Sequence, residues 1–200
     1  MSMKLLPQRA PARILDPIVR GLARIGVTPN MLTVAGFVGN AIAAVLVVQG
    51  WLIAAGIVVL FASALDLLDG SLARSTGKVT PFGGVFDSVM DRLSEAIVLF
   101  GICWYQLDLG NREEALLAFV AVVGSLMVSY TRARAEAAGV MLKDGLFTRA
   151  ERVVVTSAAL ILGLLRPALW LLAVLTLLTT FQRLYLTGRM LREAEEPEAQ

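Results

Sequence analysis

The chain has 200 residues, 57% of them hydrophobic and 17% charged, with a net charge of +2 and a mean hydropathy of +0.73. Soluble domains carry roughly 45–50% apolar and about 25% charged residues, so the composition indicates a membrane protein of one domain, and the small net charge excludes a broad basic surface for nucleic acid. Histidine is absent and Cys103 is the single cysteine, which removes the usual general base, the commonest zinc ligand and any intramolecular disulfide.

Residues 1–28 hold an amphipathic segment. Ile14, Ile18, Leu22 and Ile25 share one helical face, with Arg13, Arg20 and Arg24 on or beside the other, a pattern suited to lying on a membrane surface. The breaker VTPN follows, in which Pro29 fits a helix start and Asn30 a cap or turn. Residues 29–190 then contain six apolar segments, at about 31–49, 51–73, 83–107, 114–138, 150–166 and 168–188, each near the roughly 20 residues a bilayer requires. The links QGW and RPA are short and predict antiparallel hairpins. Residues 191–200 read as an acidic tail. The expected fold class is an all-α integral membrane protein, six transmembrane helices preceded by an interfacial amphipathic helix. With the N-terminus inside, 15 of the 18 basic residues fall on the inner side and two, Arg112 and Arg166, outside. The positive-inside rule therefore predicts a multi-pass protein of the cell membrane with both termini cytoplasmic.

Against this background the stretch DLLDGSLARSTGKVTPFGGVFDSVMD carries four carboxylates, Asp66, Asp69, Asp87 and Asp91. Acids at membrane depth are costly unless paired. The first two end the second span and the other two open the third, and spacings of three and four place each pair on one helical face. Facing one another they would repel unless cations sat between them. Oxygen-only ligands favour a hard cation such as Mg²⁺, Mn²⁺ or Ca²⁺, and four carboxylates are enough for a two-metal site. Helix caps with Arg74 and Arg92 as ion-pair partners, or an ion-conducting site, are the competing readings of the acids alone.

The string D-x₂-D-G-x₂-A-R-x₈-G-x₃-D-x₃-D, formed by Asp66, Asp69, Gly70, Ala73, Arg74, Gly83, Asp87 and Asp91, resembles the signature of the CDP-alcohol phosphatidyltransferase family. The resemblance implies a Mg²⁺-dependent enzyme of phospholipid biosynthesis, working as a homodimer in the membrane, that displaces CMP from CDP-diacylglycerol with a second alcohol. It implies two divalent ions, Mg²⁺ or Mn²⁺. Asp66 and Asp87 would bridge them, Asp69 would hold the first and Asp91 the second, with Asp91 also the proton acceptor. Gly70 and Ala73 would let the nucleotide approach a helix closely, Arg74 and Thr80 would donate to phosphate or cytidine, Gly83 completes the motif, and Pro29, Asn30, Met31 and Leu32 would close the pocket.

A second polar cluster, SYTRARAEAAG with Arg132 and Arg134, meets FTRAER with Arg149 and Arg152, and Arg183 follows in the sixth span. Guanidinium groups bind phosphate in a fork geometry, so Arg132, Arg134, Arg152 and Arg183 predict a phosphorylated acceptor. SYTRARAEAAG also resembles the matching stretch of bacterial phosphatidylinositol-phosphate synthases, which implies inositol phosphate as acceptor. Glycerol 3-phosphate is the alternative acceptor, and a small divalent-cation transporter is the alternative from another class.

Overall fold

The structure, a computed structural model, describes residues 12–142 and 145–195. Lys4, Arg9 and Lys143, with the start of the amphipathic segment and the last residues of the acidic tail, lie outside the described residues. Among the described residues the regular structure is entirely helical: α1 (Ala12–Arg24), α2 (Pro29–Val48), α3 (Leu52–Ser75), α4 (Pro81–Asp108), α5 (Arg112–Ala137), α6 (Arg149–Leu162) and α7 (Leu165–Glu195).

Local chemistry sets the helix starts. Thr28 and Thr80 are N-caps, each followed by a proline whose missing N–H costs nothing in a first turn. Thr28 Oγ1 accepts the Met31 N–H at 3.3 Å and Thr80 Oγ1 the Gly83 N–H at 3.0 Å. At α6 the Thr148 N–H donates to Glu151 Oε2 at 2.6 Å, one half of a capping box.

The last hairpin differs from the expected one. α6 stops at Leu162 because Gly163 takes a left-handed conformation, φ 69°, which glycine adopts without a Cβ penalty. Arg166 and Pro167 therefore belong to the first turn of α7, not to a loop. At the far end α7 continues to Glu195, into the stretch read as tail, supported by an Arg189–Glu193 pair at 3.0 Å one turn apart.

Among the described residues four helices, α2, α3, α5 and α7, are long and apolar enough to cross a bilayer. α4 has the length, 28 residues, but carries Asp87, Asp91, Arg92 and Glu95 within its first fifteen residues. α6 has only 14 residues, about 21 Å at 1.5 Å per residue, against a hydrocarbon core of roughly 30 Å. These two helices depart from spanning composition because they carry the polar centre described below.

Lipid is as apolar as leucine, so helices in a bilayer associate through close approach of small residues more than through hydrophobicity. A Cβ on Gly39 (α2) would lie 2.9 Å from Ala62 Cβ (α3), one on Gly101 (α4) 2.9 Å from the Ala44 carbonyl (α2), and one on Gly56 (α3) 2.8 Å from the Ser157 carbonyl (α6). The buried core includes Ala43, Val47, Val98, Leu99, Leu169 and Leu172. Large apolar side chains face outward instead, Phe61 at 73% exposure and Phe119 at 60%, as suits a protein solvated by lipid. α1 rests on α3 through Val19, buried with Leu32 and Leu72, while Ile18 and Ile25 stay exposed.

Candidate active site

Asp66 and Asp69 lie in the last turns of α3, and Asp87 and Asp91 in the first turns of α4. α2 and α6 bring their N-terminal turns to the same place. Asp69, 4% exposed, accepts a hydrogen bond from Thr33 Oγ1 at 2.6 Å, and Asp87 lies within hydrogen-bonding range of Asp69. Arg149, the first residue of α6, aims Nη2 between the other two carboxylates, 2.6 Å from Asp66 Oδ2 and 2.9 Å from Asp91 Oδ1. Asp91 has a second, looser cation in Arg92, at 3.9 Å.

Asp66 is also held from below. A Cβ on Gly36 of α2 would collide with Asp66 Oδ1 and lie 3.2 Å from the Ala62 carbonyl, so the absence of a side chain at Gly36 leaves room for this carboxylate. Gly36→Ala should push Asp66 aside. Since a misplacement near 1 Å can cost about 10²-fold in rate, turnover should fall at least tenfold while the variant still unfolds cooperatively. Wild-type turnover in Gly36→Ala would show that Asp66 has space to spare.

On one side of the carboxylates is a cavity of about 280 Å³ lined by Pro29, Asn30, Thr33, Asp69, Gly70, Ala73, Arg74, Lys78, Val79, Thr80, Gly83, Gly84 and Asp87. Seven of the nine residues expected to contact the CDP-lipid line it. Met31 and Leu32 do not: Met31 is 57% exposed and Leu32 packs into the small cluster with Val19. A Cβ on Gly70 would sit 3.3 Å from Arg74 Nη1, so glycine there lets the Arg74 guanidinium fold close to its own helix, where Nη2 donates to Ser71 Oγ at 3.3 Å. The first turns of α2 and α4 both border the cavity and offer their positive dipole ends to an anion.

The arginines play unequal parts. Arg152 is buried and bidentate to Glu95, with Nη2 2.8 Å from Oε2 and Nε on Oε1; its Nη1 donates to the Phe147 carbonyl at 3.3 Å. Glu95 Oε1 also accepts from Ser125 Oγ at 2.7 Å, so one network ties α4, α5 and α6 together. Arg183 is 7% exposed and donates Nη1 to the Val128 carbonyl at 2.8 Å, while its buried Nε has no partner. The loop before α6 closes over it, a Cβ on Gly145 falling 2.7 Å from Arg183 Nη2. Arg132 is exposed and paired with Glu136 at 2.8 Å, and Arg134 is exposed.

Thr33, Glu95, Ser125 and the bridging place of Arg149 are absent from the sequence expectation. Glu95 follows Asp91 by one helical turn and Arg149 precedes Arg152 by nearly one, so helical spacing alone could have drawn both into the cluster.

The centre fits divalent cations in its chemistry. Its donors are hard carboxylate oxygens, and a cationic nitrogen already stands between Asp66 and Asp91. Among the described residues no three acidic side chains are gathered closely enough to hold a metal ion as they stand.

The sequence profile of the CDP-alcohol phosphatidyltransferases matches residues 26–182. The chain belongs to that family. It is 41% identical over 172 residues to the archaetidylinositol phosphate synthase of Pyrococcus horikoshii, covering 86% of this chain and 89% of that protein. It is 37% identical over 192 residues to the phosphatidylinositol phosphate synthase of Mycobacterium marinum, covering 90% and 82%. The crystal structure of the Mycobacterium tuberculosis phosphatidylinositol phosphate synthase with CDP-DAG bound superposes with a TM-score of 0.82 at 35% identity, over 88% of this chain and 94% of that one. The same enzyme in complex with manganese and citrate gives 0.79 at 34% identity, over 87% and 88%. Membership of a transferase family overrides the cation-transporter alternative. It also places the carboxylates of this phosphatidyltransferase in an enzyme of phospholipid synthesis.

Proposed function

We propose that the protein transfers the phosphatidyl group of CDP-diacylglycerol to inositol phosphate, releasing CMP and forming phosphatidylinositol phosphate. What supports this reading is a carboxylate centre that borders, through Asp69 and Asp87, a cavity of about 280 Å³, in a chain that also holds a buried arginine, Arg183, with an unpartnered N–H. Relatives named phosphatidylinositol phosphate synthase support inositol phosphate over glycerol 3-phosphate.

The cavity between α2, α3 and α4 receives the cytidine diphosphate, with Arg74 and Lys78 for its charge and the diacyl tails left in lipid. Asp66, Asp69, Asp87 and Asp91 would hold two divalent ions, Mg²⁺ or Mn²⁺, which when bound supply positive charge to the diphosphate and make CMP a better leaving group. An acceptor hydroxyl oxygen attacks the phosphatidyl phosphorus, a new P–O bond forms, the P–O bond to CMP breaks, and the hydroxyl proton passes to Asp91. With no histidine in the chain, a carboxylate is the base at hand. Arg183 orients the acceptor through its phosphate. Arg152, already held by Glu95 and the Phe147 carbonyl, fixes the start of α6 beside the site.

The six helices α2–α7 alternate in direction, with α4 and α6 completing a six-span bundle among homodimer partners and lipid. The N-terminal helix α1 lies on the inner surface of the cell membrane, and both termini and the active site face the cytoplasm.

Losing a charge-assisted contact typically costs about 1.5–3 kcal/mol, so Arg183→Ala should raise the KM for inositol phosphate by roughly ten- to a hundredfold and leave that for CDP-diacylglycerol unchanged. A change confined to the CDP-lipid would move Arg183 to the donor side. Mass spectrometry of the lipid product, with inositol phosphate, glycerol 3-phosphate, inositol and serine offered together, tests the acceptor. Phosphatidylinositol phosphate is expected, and phosphatidylglycerophosphate or phosphatidylserine as the main product would overturn the assignment.

A further inference from the structure

Arg149 is placed unlike the other arginines of the molecule. Its Nη2 lies 2.6 Å from Asp66 and 2.9 Å from Asp91, two carboxylates on different helices that no other described side chain joins. Its side chain is 28% exposed, and its Nε is buried without a partner. The guanidinium is thus fixed at one end only, by the two acids. The backbone that carries it is firm: Arg149 opens α6, whose start is anchored by the Thr148–Glu151 cap and, one turn on, by the bidentate Arg152–Glu95 pair. A rigid base with a tip held only by the two acids describes a side chain that can swing away while its own helix stays in place.

We propose that Arg149 and a divalent ion are alternative occupants of the space between Asp66 and Asp91. In the absence of metal the guanidinium neutralises the two acids and holds α3 to α4; a metal ion entering must expel it. The inference rests on the reading of the four aspartates as metal ligands. Two consequences follow from charge alone. A cation beside the site opposes the entry of another cation, so Arg149 weakens metal binding. Removing Arg149 leaves clustered acids uncompensated, so the protein without metal loses stability that metal restores. A residue that merely braced the ligands would do the reverse, since its loss would weaken metal binding.

The test compares wild type, Arg149→Gln and Arg149→Lys in detergent, stripped with EDTA and then titrated with Mn²⁺. Bound Mn²⁺ is read from loss of the free-ion EPR signal and thermal unfolding is followed in parallel, so no measurement depends on turnover. Arg149→Gln should have a lower Tm than wild type in EDTA, a larger rise in Tm on adding Mn²⁺, and a Mn²⁺ midpoint lowered by roughly tenfold or more. Arg149→Lys, which keeps the charge on a shorter reach, should fall between the two, and it decides the question if Arg149→Gln cannot be purified without metal. Equal midpoints in all three proteins, or weaker binding in Arg149→Gln, would overturn the proposal while leaving the metal site intact. An Asp87→Asn control separates the two readings. If wild type and this control take up Mn²⁺ alike, the aspartates are not the metal site and both readings fail together.

Discussion

Asp91→Asn should lower turnover by roughly 10² to 10⁴, the range associated with losing a positioned general base. The amide is close to isosteric but can neither accept the acceptor's proton nor balance a cation with full charge. Asp91 stands in the third turn of α4, its side chain 15% exposed and held by Arg149 at 2.9 Å, so the substitution alters charge more than shape. CDP-diacylglycerol should still bind, because the cavity lining lies on the Asp69 and Asp87 side of the centre and does not include Asp91. Single-turnover rates and CDP-lipid affinity, measured on the same preparation, separate the possibilities. If binding falls in proportion to rate, Asp91 acts chiefly as a ligand and the proton leaves by another route.

The largest expected effect on stability belongs to Glu95→Ala. Glu95 and Arg152 have side chains 10% and 3% exposed, and Ser125 completes the network. Removing one partner of a buried ion pair typically costs about 3–5 kcal/mol, because the remaining charge stays buried and unpaired. Replacing both partners with apolar residues of similar volume is often close to neutral, so Glu95→Leu combined with Arg152→Met should recover most of the loss. Unfolding in mixed micelles gives the comparison. A loss below about 1 kcal/mol in Glu95→Ala, the range of solvated surface pairs, would mean that water reaches the pair and that α6 is anchored by other contacts.

The sequence makes the carboxylates legible because their pairing is local: spacings of three and four on single helices state which face each acid takes. Much of the cavity is legible for the same reason, since Gly70, Ala73 and Arg74 follow the first pair and Thr80 and Gly83 precede the second. What sequence spacing does not show is produced where helices cross. Gly36 matters only because α2 passes within contact of Asp66, and Thr33 only because it reaches Asp69 across that crossing. Arg152 reads as an open phosphate ligand until α4 supplies Glu95. Arg149 reads as one more inner-side arginine until α6 starts between Asp66 and Asp91. Spans are legible where apolar runs are unbroken, as in α2, α3, α5 and α7. In α6 the apolar run Leu160–Leu165 conceals the Gly163 break, and in α4 the charges that lower its apolar character belong to the site itself.

If the four aspartates form a metal-dependent centre for phosphatidyl transfer, CMP release must depend on both the metal and the carboxylates. Purified protein in nanodiscs containing CDP-diacylglycerol should release CMP when inositol phosphate and Mg²⁺ are present, stop when EDTA is added, and resume when Mg²⁺ or Mn²⁺ is restored in excess. Asp87→Asn, with its fold intact, should release none under any of these conditions. CMP release that continues in EDTA, or that Asp87→Asn sustains at the wild-type rate, would show that transfer does not run through these carboxylates and their metal.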